Sequence, residues 1–393
     1  MKKIHVALGV HAYDIEIAAG LLPQVGSKVA ALLPKARKAA IISDTNVAPL
    51  YAAKLQASLE EAGLVVHKVV IEAGEQSKNM QVLSDVLEQL AAAGLTRTDV
   101  VLTLGGGVVG DLGGFAAASF MRGIAFVQIP TSLLAQIDSS VGGKVAVDLK
   151  AGKNLAGAFY QPKAVFIDTD LLATLSTRFL HDGLAEAIKY GCIKDAALFA
   201  KIAGYADDAA LLADIDSVVA TCCAIKARIV EQDEFDTGLR MLLNFGHTLG
   251  HAVEQHFGYS CFTHGEGVAI GMYQLTKRTE ELGMTAKGSA ERIKSVLEKY
   301  NLPLTAGVEK AQLLDTMARD KKKNGNSITL IILQQIGEGV LQKVDWQERC
   351  RCRHLKVWDT EKSFVQVLQA APALSIISAC LRILKQRCAF CVL

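Results

Sequence analysis

The first half of the chain alternates apolar runs of strand length with stretches of helical periodicity, and this alternation most restricts the possible fold. Parallel strands need crossover helices, so the alternation predicts a parallel, doubly wound sheet over about residues 1–178. An alternating apolar pattern from Ile4 to Ile17 adds a β-hairpin at the start. The expected sheet strands are Ala39–Ser43, Val65–Ile71, Val100–Leu104, Ala125–Ile129 and Val165–Asp168.

Helical periodicity replaces this alternation from Asp182 to about Arg319. A small hairpin is then expected from Ser327–Leu333 and Val340–Val344, which flank Gly337-Glu338-Gly339. The prediction is therefore an α/β domain over residues 1–178, followed by a mostly helical domain over residues 179–345.

The last 48 residues differ from the rest in charge and in cysteine content. Residues 346–393 carry eight Lys or Arg against three Asp or Glu, and five of the nine cysteines. Their uncharged run Phe364–Leu381 has Pro372 near its middle and two glutamines, which argues against a membrane span. We expect this tail to lie outside the folded body, so that truncation after Asp345 leaves function unchanged.

The overall charge restricts the classes of partner. Lys and Arg total 42 and Asp and Glu total 40, a formal net charge of +2, which argues against a general binder of nucleic acid or of anionic membranes. The Met-Lys-Lys start has no apolar segment of signal-peptide type behind it. With the cysteines of the body expected to be reduced thiols, the sequence indicates a cytoplasmic protein.

A glycine-rich loop, Gly105–Asp111, follows the strand Val100–Leu104 and precedes a helix. Glycines allow a backbone to approach a phosphate, and a helix N-terminus supplies free N–H groups. The loop is neither G-x-G-x-x-G nor a Walker loop, so it indicates a phosphate or diphosphate at a strand end, with a tight turn as the alternative. Hydroxyl, glycine and lysine residues in 130–144 and at Lys153-Asn154 also suit an anionic ligand.

Metal-ligand residue types occur in the second domain. His247 and His251 are four residues apart on one helix face, His264 follows thirteen residues later, and Glu186 lies in an apolar helix start. Three nitrogens, or two and a carboxylate, suit a catalytic zinc with one open position. The spacing alone leaves open which of these residues bind.

These motifs, in this order, resemble the 3-dehydroquinate synthase family of sugar-phosphate cyclases. The resemblance spans about residues 1–345, and its departures are mild: Ser132 and Val145 stand where the family usually has Thr. The matching stretches are Gly105–Ala118, Arg122-Gly123, Ile129–Lys144, Gly152–Asn154, Gly183–Gly191, Leu242–His251, His264–Glu266 and Arg319–Lys322.

The resemblance implies a lyase of the shikimate pathway that converts 3-deoxy-D-arabino-heptulosonate 7-phosphate to 3-dehydroquinate and phosphate. It implies bound NAD, a zinc or cobalt ion, and a homodimer. The implied chemistry is transient oxidation by NAD, phosphate elimination, re-reduction and aldol closure. The alternatives are a related cyclase of the 2-deoxy-scyllo-inosose type, a metal-dependent glycerol or alcohol dehydrogenase, and a non-catalytic nucleotide-binding protein.

The same resemblance implies a role for individual residues, within an NAD-binding first domain and a metal- and substrate-binding second domain. The metal ligands would be Glu186, His247 and His264, with His251 in the substrate pocket. Arg122 would reach the phosphate across a dimer interface. The implied NAD contacts are Asp44, Asn46, Glu75, Lys78, Gly107, Val108, Val109, Gly110, Asp111, Thr131, Ser132, Asp138, Lys144, Lys153, Leu171, Leu172, Ala173 and Thr174. The implied substrate contacts are Asp138, Lys144, Asn154, Lys189, Lys226, Arg240, Asn244, His251, and Lys321 or Lys322.

Overall fold

The computed structural model describes residues 1–308 and 327–345. Lys321, Lys322 and the tail 346–393 therefore lie outside the described residues. The strands are β1 (Lys2–Val6), β2 (Tyr13–Ile17), β3 (Lys38–Asp44), β4 (Val65–Ile71), β5 (Val100–Gly105), β6 (Ala125–Pro130), β7 (Lys144–Leu149), β8 (Gly152–Phe159), β9 (Ala164–Ile167), β10 (Ser327–Gln335) and β11 (Glu338–Asp345). The helices are α1 (Val25–Leu32), α2 (Ala53–Glu61), α3 (Met80–Ala92), α4 (Gly107–Ser119), α5 (Thr177–Lys194), α6 (Ala196–Gly204), α7 (Asp208–Ala213), α8 (Ile215–Gln232), α9 (His247–His256), α10 (His264–Glu281) and α11 (Ser289–Lys299).

Seven strands form one mixed sheet in the order β1-β2-β9-β6-β5-β3-β4. Only β1 and β2 pair antiparallel, and the other neighbours are parallel. The chain winds outward from β3 in both directions, and Ser43 is paired with Leu104, so the carboxyl ends of β3 and β5 lie side by side. This position is the topological switch point, where open α/β sheets bind ligands. The expected fold, an α/β domain followed by helices, is confirmed.

Both faces of the central strands are buried. Ile41 packs in the cluster that contains α1 and α2, whereas its neighbour Ile42 packs in the cluster that contains α3 and α4. Strands that are covered on both faces need no polar alternation, which explains why β3 and β5 are continuous apolar runs. A third cluster joins β2 and β9 to residues of α5 and α8, so the helical layer packs against the β2–β9 side of the sheet.

A third hairpin, formed by β7 and β8, was not predicted from the sequence. Its strands pair antiparallel and lie outside the main sheet. Gly142 and Gly143 precede it with φ of 93° and 64°, which glycine adopts without strain. The residues of β8 are mostly exposed or half-buried and include Gly, Ala, Lys and Asn, so no clear strand pattern marks this segment.

Helices α9 and α10 are in direct backbone contact. A Cβ atom on Gly250 would lie 2.9 Å from the carbonyl carbon of Gly267, and one on Gly271 would lie 1.9 Å from the carbonyl oxygen of Gly246. The contact therefore requires glycine at these positions. It brings the first residues of the two helices next to each other.

Along the described ranges, we found no helix of sufficient length and hydropathy to cross a membrane.

Candidate active site

Three ligand-type side chains converge at the contact between α5, α9 and α10. Glu186 Oε1 lies 3.4 Å from His247 Nε2 and 3.6 Å from His264 Nε2, and the three ligand atoms all lie within 4.8 Å of one another. Glu186 is fully buried. Its Oε1 makes no hydrogen bond, whereas its Oε2 is paired with the ammonium group of Lys189. Two imidazole nitrogens and a buried carboxylate oxygen without a hydrogen bond fit a divalent cation of the zinc type.

The protonation states of His247 and Glu186 also suit metal binding. The Nδ1 atom of His247 lies 3.1 Å from the carbonyl oxygen of Phe245, so Nδ1 is the donor and Nε2 keeps its lone pair toward Glu186. Burial lowers the pKa of His247 well below its usual value, which keeps the ring neutral. Burial alone would raise the pKa of Glu186, but the ammonium group of Lys189 and the N–H of His264 outweigh it and lower that pKa.

His251 lies one helical turn beyond His247 and is not part of that cluster. Its ring centroid is 5.4 Å from that of His247 and 5.8 Å from that of His264. It belongs instead to a second group, with Glu254 and His264. The structure thus separates the two histidines that the sequence spacing left equivalent.

Side chains on one face of α5 form hydrogen bonds with the N-terminus of α10. Arg178 donates two hydrogen bonds to Glu266, at 2.7 and 2.8 Å, and Asp182 accepts the backbone N–H of Gly265 at 2.6 Å. Glu186 follows at the same spacing of four residues, which places all three on one side of the helix. These contacts come from the two turns of α5 that precede Glu186. They hold His264, the first residue of α10, next to Glu186.

Charged residues extend from the cluster toward the sheet. Glu186 Oε2 contacts the ammonium group of Lys189. Asp138 accepts hydrogen bonds from Lys226, at 2.8 Å, and from the hydroxyl of Tyr190. Burial would raise the pKa of Asp138, but Lys226 and Lys189 lower it strongly. Lys189 and Lys226 are both buried, and each is paired with one carboxylate, so this part of the site is a desolvated cluster of two ammonium groups and two carboxylates.

The glycine loop lies at the switch point of the sheet. Its helix α4 starts after Gly106 without a side-chain cap, which leaves the first N–H groups available to a phosphate. Thr131 donates its backbone N–H to Gly105 at 3.0 Å, and the Ser132 hydroxyl lies 3.6 Å from the place of a Cβ atom on Gly106. Asp44 ends the neighbouring strand β3, and its Oδ1 accepts the N–H of Asn46 at 2.9 Å.

The remaining nucleotide-type residues are joined by polar contacts. Buried Lys78 contacts Asp111 of α4 and donates to Asn154 of the β7–β8 hairpin at 2.6 Å. Lys153, beside Asn154, lies 3.1 Å from Glu75. Lys78 therefore ties the glycine-loop helix to the hairpin. A cleft of about 800 Å³ opens here toward the end of α9.

The turn Leu171–Thr174 follows β9 at the same edge of the sheet. Leu171 and Leu172 are buried, whereas Ala173 and Thr174 are exposed. The hydroxyl of Tyr51 lies 2.6 Å from Thr174 Oγ1 and donates to the carbonyl of Leu171 at 3.2 Å. Tyr51 thereby connects this turn to the segment after β3.

Other expected substrate residues lie at the margin of these clusters. Arg240 is buried and donates to the carbonyl oxygens of Gly142 and Glu234, at 3.0 and 2.7 Å. Lys144 is half-exposed and contacts Asp236. Asn244 and Arg122 are exposed, and within the described ranges no hydrogen bond or ion pair joins Arg122 to the other site residues.

Sequence reasoning did not single out two residues of this site. Tyr190 follows Lys189 and reaches Asp138, and Glu254 lies at 3.7 Å from His264. Glu254 stands three residues after His251 in the sequence. An acidic residue three positions after a histidine shares its helix face, and this spacing was the signal that could have indicated Glu254.

The nucleotide-type sheet edge, the buried Glu-His-His cluster and the two buried lysines belong to a chain with the fold of sugar-phosphate cyclases. The structure superposes on 2-deoxy-scyllo-inosose synthase, solved with carbaglucose-6-phosphate, NAD⁺ and Co²⁺, with a TM-score of 0.80, 22% identity, and coverage of 94% of this chain and 100% of that one. It also superposes on 2-epi-5-epi-valiolone synthase from Streptomyces hygroscopicus, solved with NAD⁺ and Zn²⁺, with a TM-score of 0.77, 28% identity, and coverage of 84% and 92%.

Sequence comparison identifies the family within this class. Residues 68–182 match the 3-dehydroquinate synthase N-terminal family model, and residues 183–323 match the C-terminal one. The chain is 50% identical over 349 residues to 3-dehydroquinate synthase of Clostridium acetobutylicum, covering 88% of this chain and 98% of the relative. The chain belongs to the 3-dehydroquinate synthase family. The expectation of a carbon–oxygen lyase of the shikimate pathway is thereby confirmed.

Proposed function

We propose that this chain converts 3-deoxy-D-arabino-heptulosonate 7-phosphate to 3-dehydroquinate and phosphate, with NAD bound by the first domain, 1–178, and a divalent metal bound by the second, 179–345. The observation that carries the proposal is the contact between Glu186 and Lys189. It joins a metal-type cluster to buried lysines that would bind the anionic groups of a phosphorylated sugar acid.

Glu186, His247 and His264 would hold the metal, zinc or cobalt. Their fit rests on the buried Oε1 of Glu186, which makes no hydrogen bond, and on the neutral, oriented ring of His247. A cation there would act as a Lewis acid toward a substrate oxygen. Without a cation, Glu186 and Glu254 raise the pKa of His264 to about 10 against the effect of burial, so metal binding at neutral pH would displace a proton from that ring.

The lysines and the arginine of the pocket would bind the substrate's carboxylate and phosphate. Lys189 and Lys226 are held in place before the substrate arrives, by Glu186 and Asp138. Arg240 is fixed by two backbone carbonyls. Preorganised, desolvated donors bind anions more strongly than flexible surface groups, and they hold the reacting ends of the substrate together.

The nucleotide would lie along the switch point, with its diphosphate at Gly107–Asp111. NAD supplies a reversible hydride acceptor. The chain's own part is to bind the diphosphate with the N–H groups of α4 and to place further contacts at Asp44, at Lys78 and at the Leu171–Thr174 turn. Since Lys78 also bonds to Asn154, nucleotide and substrate contacts would be made by adjoining residues.

The proposal extends to assembly and location. Exposed Arg122, on a backbone with φ of 61°, would complete the phosphate site of a second copy, so that the enzyme works as a homodimer. We also propose a cytoplasmic location.

The test is release of phosphate from the heptulosonate phosphate, with NAD present at far below the substrate concentration. We expect many turnovers per NAD, because the cofactor is regenerated within each cycle. Glucose 6-phosphate serves as the control substrate for a related cyclase, and glycerol serves for a dehydrogenase. Turnover of glycerol with one NADH formed per cycle would refute the proposal, as would a preference for glucose 6-phosphate.

A further inference from the structure

Glu254 is a buried acidic residue of α9 to which the proposed function assigns no contact with metal, nucleotide or substrate. It is 5% exposed, and it stands in the last turn of its helix, seven residues after His247. Negative charge near a helix C-terminus is unfavourable to the helix dipole, and burial of a carboxylate is costly. Helix stability therefore does not account for this residue.

The carboxylate of Glu254 faces one nitrogen of His264. Its Oε2 lies 3.7 Å from His264 Nδ1, whereas the other ring nitrogen, Nε2, lies 3.6 Å from Glu186 Oε1. The imidazole of His264 thus lies between two carboxylates, with Nε2 toward Glu186 and Nδ1 toward Glu254.

His247 has the equivalent arrangement with a different acceptor. Its Nδ1 faces the carbonyl of Phe245 at 3.1 Å, and its Nε2 faces Glu186. Metal-binding histidines generally donate their second N–H to a carboxylate or a carbonyl, which fixes the tautomer and makes the ligand more basic. The carbonyl does this for His247, and for His264 the group in that position is Glu254.

We propose that Glu254 is a positioning residue for the metal site, whose carboxylate accepts a hydrogen bond from Nδ1–H of His264 when the metal is bound and so directs Nε2 at the cation. The inference rests on the proposed function, since it takes Glu186, His247 and His264 as the metal ligands. Loss of such a supporting carboxylate weakens metal binding by about 10–100-fold.

A second cation between His251, Glu254 and His264 is the competing use of the same carboxylate, because their ligand atoms also lie within 4.8 Å of one another. A neutral imidazole has one free lone pair. With Nε2 of His264 directed at the first cation, Nδ1 carries the proton and cannot bind a second. The geometry therefore favours one cation, supported by Glu254.

The experiment compares the full chain with Glu254→Gln and Glu254→Ala. Glu281→Gln is the matched control, because it removes one carboxylate from α10 at an exposed ion pair with Arg278. Zn²⁺ affinity is measured by competition with a chromophoric chelator, and stoichiometry by equilibrium dialysis. The absorption spectrum of bound Co²⁺ reports on the geometry of its ligands.

We expect one ion per chain in every protein, and affinity that is about 10–100-fold weaker in Glu254→Ala. Glu254→Gln, which keeps an acceptor oxygen and the volume, should lose less, and Glu281→Gln should bind as the unmodified chain does. Urea unfolding of the metal-free proteins and NAD affinity check that the fold is intact. Glu254→Gln decides the matter if the alanine variant does not fold.

The outcomes separate this inference from the proposed function. Equal Zn²⁺ affinity and Co²⁺ spectra in the unmodified chain and in the Glu254 variants would overturn the role of Glu254 alone. Two ions per unmodified chain and one per Glu254 variant would assign Glu254 to a second metal site instead, and would also overturn it. Absence of a bound ion from the unmodified chain would refute the proposed metal site itself.

Discussion

Replacement of Lys78 by Met should destabilise the folded chain strongly, even without nucleotide. The side chain of Lys78 is 6% exposed and that of its partner Asp111 is 19% exposed, so the ion pair is largely removed from water. Burial raises the pKa of Asp111 even with Lys78 beside it. Lys78→Met would leave this carboxylate without a counter-charge, and loss of one partner of a buried pair costs about 3–5 kcal/mol.

An upper limit follows from the protonation of Asp111. The lone carboxylate avoids the cost of burial by taking up a proton. At pH 7 this uptake costs about 4 kcal/mol relative to an unfolded chain in which the pKa is 3.8. In the unmodified chain the pKa of Asp111 is already raised above 3.8, so the loss is smaller than this limit, and we expect between about 1 and 4 kcal/mol at pH 7. Removal of Lys78 raises this folded-state pKa further, so the loss grows as the pH rises above the folded-state pKa of the unmodified chain and nearly disappears at 3.8.

Urea unfolding of the nucleotide-free protein between about pH 4 and pH 7.5 measures this effect. Lys153→Met is the matched control, because its pair with Glu75 is 29% and 39% exposed and should contribute less than about 1 kcal/mol. The double change Lys78→Met with Asp111→Leu should recover most of the lost stability. A loss below about 1 kcal/mol at pH 7, or one that is independent of pH, would refute the argument.

Three further predictions concern the metal site, the helix contact and one turn. Glu186→Ala and His264→Ala should abolish zinc binding, whereas His251→Ala should keep the metal and lose turnover. Metal analysis and the phosphate-release assay check this. Full zinc occupancy in His264→Ala would contradict it. Gly271→Ala should lower the free energy of urea unfolding by at least about 1–3 kcal/mol, because the added methyl group would lie 1.9 Å from a backbone oxygen, and unchanged stability would show that the helices separate freely. The pKa of Asp233 is lowered to about 2, because N–H groups of the following turn outweigh its desolvation; the stability difference from Asp233→Asn should therefore be complete above pH 3.8 and be lost toward pH 2, and a constant difference would contradict it.

The sequence predicts the elements of this fold that are covered on both faces. Strand β5 was expected because a parallel strand that is buried on both faces is a continuous apolar run. The structure has this strand at Val100–Gly105. The β7–β8 hairpin was not expected, since it lies outside the main sheet and its second strand has no buried residue. Half-exposed strands built from Gly and Ala carry little periodic signal.

For the candidate site, the sequence supplies the residue types but not their geometry. Spacing left His247 and His251 equivalent, and the distinction depends on Glu186, which α5 brings to 3.4 Å from His247. The role suggested for Glu254 depends in the same way on where α10 starts relative to α9. Such contacts between distant segments arise from packing, which local periodicity does not encode.

The glycine contact between α9 and α10 has a consequence for redesign of the enzyme. His247 and His264 are the first residues of two helices whose backbones touch, so the distance between their main chains is fixed by this contact. To move the two backbones apart for a larger ion, an engineer must widen the helix pair. Selection for a changed metal preference should therefore yield substitutions at or beside Gly250 and Gly267.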